Sequence, residues 1–331
     1  MHIFVAGGTG AIGRPLIRQL VARKHRITAT TRSPAKADAL RALGAEPVVL
    51  DGLDAPAVMQ AVQRAAPDAV IHQMTSLTGA TNLRHFDKVF AATNRLRTEG
   101  TDHLLAAAKA AGVPRFVAQS YTGWTTTPDA GAAPDEAAAF DPHPVRSQRA
   151  SLDAIRYLER VVRDAPLEGV VLRYVNLYGP GASEAIEGLV RKRGMPLIGG
   201  GTGVWSWLHV DDAAAATVAA VEHGAPGTYN VADDEPAPVA EWLPYLAKAL
   251  GATPPLKIPV GVARVAVGEA VVAMMTRNRG ASNAQAKRAL GWKLRWPSWR
   301  QGFRGGLAAQ ATPAGTAGTG RSRAARRRRQ P

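Results

Sequence analysis

The chain has 331 residues, 46% of them hydrophobic, no cysteine and a net charge of +15. That length and apolar content fill one large domain or two modest ones. The absence of cysteine excludes a disulfide framework, a thiolate metal site and a cysteine nucleophile, and no metal is expected. The charge does not argue for a specific nucleic-acid partner. Six arginines fall in the last eleven residues, and no helix-turn-helix, zinc-knuckle or aromatic-basic motif converts charge into recognition. The first residues, MHIFVAGGTGAIG, lack the basic start and sustained apolar run of a secretion signal. The longest apolar stretch, Val260 to Met275, contains Arg264 and Glu269 and reads as an amphipathic helix, too short for a bilayer span. A cytoplasmic protein with no membrane partner is expected.

In chain order, His2–Ala6 reads as a short apolar strand, Ile12–Ala22 as a helix and Arg26–Thr31 as a second strand rich in β-branched residues. A helix at Ala35–Leu43, a strand at Glu46–Leu50, a helix at Ala55–Ala65 and a strand at Ala69–His72 follow. A long helix covers about Leu96–Ala111, and Arg115–Gln119 is a fifth strand. Thr125–Pro144 concentrates proline and glycine as a long loop, before a helix at about Ser151–Asp164 and a strand at Gly169–Tyr174. Apolar strands alternating with helices predict a Rossmann-type α/β fold, a doubly wound parallel sheet with helices on both faces. Right-handed crossovers then place every strand's C-terminal end on one edge, where ligands bind. The expected division is a dinucleotide-binding domain over 1–178, a smaller mixed α/β substrate region over 179–307, and a disordered basic tail over 308–331.

The sharpest local signal is Val5-Ala-Gly-Gly-Thr-Gly-Ala-Ile-Gly13, a buried strand running into glycines at i, i+3 and i+6 and then into a helix. Gly7 permits the tight turn, Gly10 the close approach of a pyrophosphate, and Gly13 the packing of helix on strand. The unpaired N–H groups of Thr9, Ala11 and Ile12 at the helix start suit a pair of phosphates. The second strand ends in Thr31-Arg32-Ser33, with Lys36 a turn later and no acid to hold ribose hydroxyls. Arg32 can pair with a 2′-phosphate through its guanidinium fork, and Ser33 can donate to it, so NADP is expected over NAD. Asp51, ending the third strand, is placed either to accept from the adenine amino group or to cap the next helix, with Asp54 following before an apolar run.

With these motifs the chain resembles the extended short-chain dehydrogenase/reductase superfamily, the NAD(P)-dependent epimerase/dehydratase family, over about residues 1–305. The glycine motif carries the resemblance together with Asp51, Val70-Ile-His-Gln-Met-Thr75, Leu172-Arg-Tyr-Val-Asn-Leu-Tyr-Gly-Pro-Gly181, His209-Val-Asp-Asp212, Tyr229-Asn-Val231 and Ala289-Leu-Gly-Trp292. It implies that Gln73, Met74 and Thr75 lie beside the cofactor ribose, and that Tyr174, Asn176 and Leu177 lie near the nicotinamide.

The departures from the family pattern bear on chemistry. The family's Tyr-x-x-x-Lys pair, in which a lysine lowers the phenol pKa for proton exchange, is missing. Ser151 and Ile155 stand in its place. The family's serine or threonine helper aligns with Tyr121 in Gln119-Ser-Tyr-Thr122, and its asparagine in the fourth helix is replaced by Arg97. Two readings remain open. In one, Tyr121 is a phenol moved to the opposite wall, with Ser120 or Ser151 beside it, serving an oxidoreductase of reductase type. In the other, the site binds NADP without turnover, as a sensor. A nucleotide-sugar epimerase with an altered site is a third option. The basic residue that meets a sugar diphosphate in the family is replaced near Trp205. With Trp124, Tyr178 and Trp207 as further substrate contacts, this implies an uncharged, apolar or aromatic small molecule. These tryptophans equally suit a core, His209 suits a buried hydrogen-bonded role, and Asp211 and Asp212 suit caps of the helix that follows. A homodimer is left open.

Overall fold

The computed structural model describes residues 1–77 and 83–307; the tail expected over 308–331 lies outside the described residues. The first half alternates strand and helix: β1 (His2–Ala6), α1 (Gly13–Ala22), β2 (Arg26–Thr31), α2 (Ala37–Ala42), β3 (Glu46–Val49), α3 (Ala55–Ala65) and β4 (Ala69–His72). Then come α4 (Phe86–Arg97), α5 (Glu99–Ala110), β5 (Arg115–Tyr121), α6 (Arg149–Arg163), β6 (Glu168–Tyr174), β7 (Asn176–Tyr178) and α7 (Glu184–Arg191). The remainder holds β8 (Leu197–Ile198), β9 (Val204–Trp205), β10 (Trp207–His209), α8 (Val210–His223), β11 (Gly227–Val231), β12 (Ala237–Pro238), α9 (Val239–Ala249), β13 (Lys257–Ile258), α10 (Val260–Ala266), α11 (Glu269–Arg277), α12 (Ala284–Leu290) and α13 (Trp299–Gly305).

Seven strands form one sheet in the order β11-β6-β5-β4-β1-β2-β3, and every pairing in it is parallel. This is the doubly wound arrangement expected from the sequence, with its switch point between β1 and β4. The strand period of two sorts β1 between two cores. Ile3 and Val5 pack with Leu16, Ile17 and Leu20 of α1 and with the alanine-rich α8. Phe4 and Ala6 point the other way, toward Val58 and Val62 of α3, Leu104 of α5 and Leu158 of α6. A third core, in the C-terminal region, gathers Trp205, Trp207, Trp242, Trp299 and Phe303.

The boundary expected at 178/179 does not follow the sheet, because its seventh strand, β11, comes from beyond it and α8 packs on α1. The helix expected over 96–111 is α5, and a further helix, α4, precedes it; the two part at Thr98, whose ψ of −83° leaves the helical region while its hydroxyl bonds back to the Asn94 carbonyl. The stretch 260–275 is likewise two helices, parted at Gly268, which takes a φ of +89° that other residues avoid. β5 runs on to Tyr121, two residues past the expected Gln119, and this extension carries the phenol to the ligand edge. The start of α8 is capped by His209, whose side chain accepts from Asp211 N, rather than by Asp211 or Asp212. Asp212 instead accepts from the backbone N–H groups of Arg295 and Trp296, tying the C-terminal segment to α8.

Candidate active site

The turn after β1 is tight for a physical reason. Gly7 has a φ of +96°, and a Cβ there would lie 2.7 Å from the carbonyl oxygen of Gln73 on the neighbouring strand end. A Cβ on Gly13 would lie 2.5 Å from the Gly7 oxygen. Among the described residues no side chain caps the start of α1; Arg14 N bonds the Gly10 carbonyl and Pro15 has no N–H, which leaves the N–H groups of Ala11, Ile12 and Gly13 for an anion. The residues present therefore fit a pyrophosphate at this loop.

From the loop a cleft of about 540 Å³ runs along the strand ends. Gly10, Ala11, Ile12 and Gly13 form one end of its lining, followed by Gln73 and Thr75 after β4. Ser120 and Tyr121 of β5 and Tyr174, Asn176 and Leu177 line its far side, with Phe86, Phe90 and Arg97 of α4 and with Trp124. Phe86 stacks on Phe90 at 4.2 Å between ring centroids and meets Trp124 edge-on at 5.4 Å, so one wall is aromatic. A second cavity of about 350 Å³ shares Asn176, Leu177 and Met274 with the cleft and is lined further by Trp205, Trp207 and Val271.

Tyr121 donates from its hydroxyl to Asn176 Oδ1 at 3.3 Å, and the Asn176 amide in turn donates to the Ser206 carbonyl. Burial pushes the phenol pKa up, against the pull of the nearby Arg97 guanidinium, so Tyr121 is a neutral hydrogen-bond donor and not a base. Arg97 is 6% exposed, and its Nη1 has no hydrogen-bond partner among the described residues. Burial brings its pKa down to about 10, with Tyr121 and Glu159 opposing, so it stays a cation at neutral pH.

Beneath the cleft lies a buried ion pair. Arg173 donates from Nε and Nη2 to the two oxygens of Glu159 at 2.8 and 2.6 Å, and Ser120 Oγ donates to Glu159 Oε1 at 2.7 Å. Gln73 Nε2 donates to the Tyr174 hydroxyl, which also pairs with Thr217 of α8. His72, whose pKa burial lowers to about 4, donates from Nε2 to the Leu96 carbonyl and accepts at Nδ1 from Met74 N. That neutral tautomer fixes the chain where it leaves β4.

The structure thus brings together Gly10 through Gly13, Gln73, Thr75, Ser120, Tyr121, Trp124, Tyr174, Asn176 and Leu177. Several expected site residues fall elsewhere. Ser151 is fully buried on α6, accepts from Asn94 Nδ2 at 3.0 Å and is not part of the cleft wall, because α6 turns that face onto α4. The Ser120 hydroxyl is committed to Glu159. Tyr178 lies outside both cavities, packed edge-on against Trp207, His209 and Phe303, so it belongs to the C-terminal core. Trp205 and Trp207 are also core residues that show a face to the smaller cavity, and Trp205 Nε1 donates to the Met274 carbonyl. Thr9, Arg32, Ser33, Lys36, Asp51 and Met74 are outside the cleft lining; Arg32, Lys36 and Asp51 are exposed, and Asp51 accepts from Leu53 N. Phe86, Phe90 and Met274 were missed by sequence reasoning. The first two could have been found, since Phe86, Phe90 and Arg97 share a helical face by their spacing.

A parallel sheet of this order, with a glycine loop at its switch point and a cleft along the strand ends, defines a Rossmann-type dinucleotide-binding protein. Residues 3–232 match the NAD dependent epimerase/dehydratase family, and the chain belongs to it. It is 45% identical over 310 residues, 92% of this chain and 99% of the other, to a 3-diazoavenalumate denitrifying reductase of Streptomyces sp. It is 32% identical over 268 residues, 76% of each chain, to a 2-alkyl-3-oxoalkanoate reductase of Stenotrophomonas maltophilia. Its fold is similar to that of the UDP-glucose 4-epimerase of Thermotoga maritima, with a TM-score of 0.70 at 22% identity, over 92% of this chain and 96% of that one. Among the described residues no helix is long and apolar enough to cross a membrane.

Proposed function

We propose that the protein is an NADP-linked reductase of an apolar or aromatic small molecule. The observation that carries this reading is the cleft itself, in which the phosphate loop, the neutral phenol of Tyr121 and an aromatic wall meet in one space. Bound NADPH would supply a hydride, which either displaces N₂ from a diazonium carbon with no further proton or turns a carbonyl into an alkoxide that needs one. Tyr121 is the residue able to donate that proton, and Asn176 holds its hydroxyl in place. The aromatic wall excludes water from the reacting centre. The name of the Streptomyces relative describes reduction of a diazo compound with loss of nitrogen, which makes aromatic diazo compounds the first acceptors to test, and the other named reductase adds ketones. NADPH oxidation with such acceptors supports the proposal; binding of NADPH without oxidation by either class would favour a sensor.

The choice of NADP rests on Arg32 and Ser33 at the end of β2, with no acid there. Arg32→Ala should weaken NADPH binding by roughly 1.5–3 kcal/mol, the span of a hydrogen bond to a charged group, and leave NADH binding unchanged. Calorimetric titration of both cofactors checks this. Equal loss for both, or tighter NADH binding by the native protein, would remove Arg32 from the role.

A further inference from the structure

We infer that Arg97 is a specificity-determining residue that receives the carboxylate of an aromatic acid substrate. The inference rests on the reductase reading for placing the substrate in the cleft. Arg97 ends α4 on the same face as Phe86 and Phe90, so a cation stands at the foot of an otherwise aromatic wall. A buried guanidinium is costly unless an anion meets it. Glu159 is the acid that acts on it electrostatically, but both Glu159 oxygens are already taken by Arg173 and Ser120. Two buried cations therefore share one buried carboxylate, and Arg97 Nη1 is left without an acceptor among the described residues. Arg97 lines the cleft, which is where a ligand would bring the further negative charge. The planar fork of a guanidinium matches a carboxylate, and the rings beside it match an aromatic body. The substrate expected from the sequence as uncharged becomes, on this argument, an aromatic molecule with one anionic end.

The test compares cinnamate with cinnamamide, which share a shape and differ in charge, by calorimetric titration of the protein saturated with NADP⁺. The native protein should bind the acid about 10–100-fold more tightly, the range a charge-assisted hydrogen bond supplies. Arg97→Met should abolish the preference while keeping affinity for the amide, and Arg97→Lys should retain part of it. Arg97→Met should also melt no lower than the native protein, since it removes an unneutralised buried charge. If Arg97→Met fails to fold, the native comparison and Arg97→Lys still decide. Equal binding of acid and amide, a preference that survives in Arg97→Met, or no binding by any acid from benzoate to cinnamate overturns the inference. Reduction of a carboxylate-bearing aromatic ketone at equal rates by the native protein and Arg97→Met would sink this inference and leave the reductase reading standing. Selective acid binding with no hydride transfer to any acceptor would do the reverse.

Discussion

Tyr121→Phe is expected to slow the reduction of an aromatic ketone by roughly 10²–10⁴-fold in kcat, the usual span for a positioned acid, while NADPH affinity stays unchanged. The substitution keeps the ring against Trp124, at 6.0 Å between centroids, and removes only the hydroxyl that donates to Asn176. With a diazonium acceptor the loss should be far smaller, because N₂ departs and no alkoxide has to be protonated. Steady-state kinetics with one acceptor of each kind reads the contrast. Full ketone turnover by Tyr121→Phe would reduce the residue to a wall of the cleft.

The second large effect concerns the buried pair under the cleft. Glu159→Ala should destabilise the fold by roughly 3–5 kcal/mol, because it strands the Arg173 guanidinium without its anion. Arg173 is held between Glu159, the Glu136 carbonyl and the ring of Phe140, 5.0 Å from its guanidinium carbon. The alanine would also leave Ser120 Oγ without its acceptor and remove the negative charge that tempers Arg97. Denaturant unfolding measures the loss. A change below about 1 kcal/mol, the level of an exposed pair, would show that the site is better hydrated than its burial implies.

The fold was legible because its signals are local and periodic. Strands such as His2–Ala6 alternate between two apolar cores, and Gly7 and Gly13 sit where a Cβ would collide with the Gln73 or Gly7 carbonyl, with Gly10 close behind. The site was less legible because its geometry depends on contacts far apart in the chain. Ser151 matched a catalytic position by alignment, yet its hydroxyl faces Asn94, 57 residues away. Tyr178 belongs to a motif near the cofactor, yet packs on Phe303 from the last helix. Arg97 was visible only as a substitution for the family's asparagine. Its lack of a partner emerged once Glu159 was seen to be filled by Arg173 and Ser120, residues from two different strands.

Hydride transfer within this cleft can be followed by isotope tracing. Protein supplied with NADPH deuterated at the transferable C4 position, and with an aromatic diazo acid or ketone, should form a reduced product one mass unit heavier than that formed from unlabelled NADPH. Bound NADPH that stays unoxidised with both acceptor classes, or a reduced product free of deuterium, would rule out hydride transfer in this cleft.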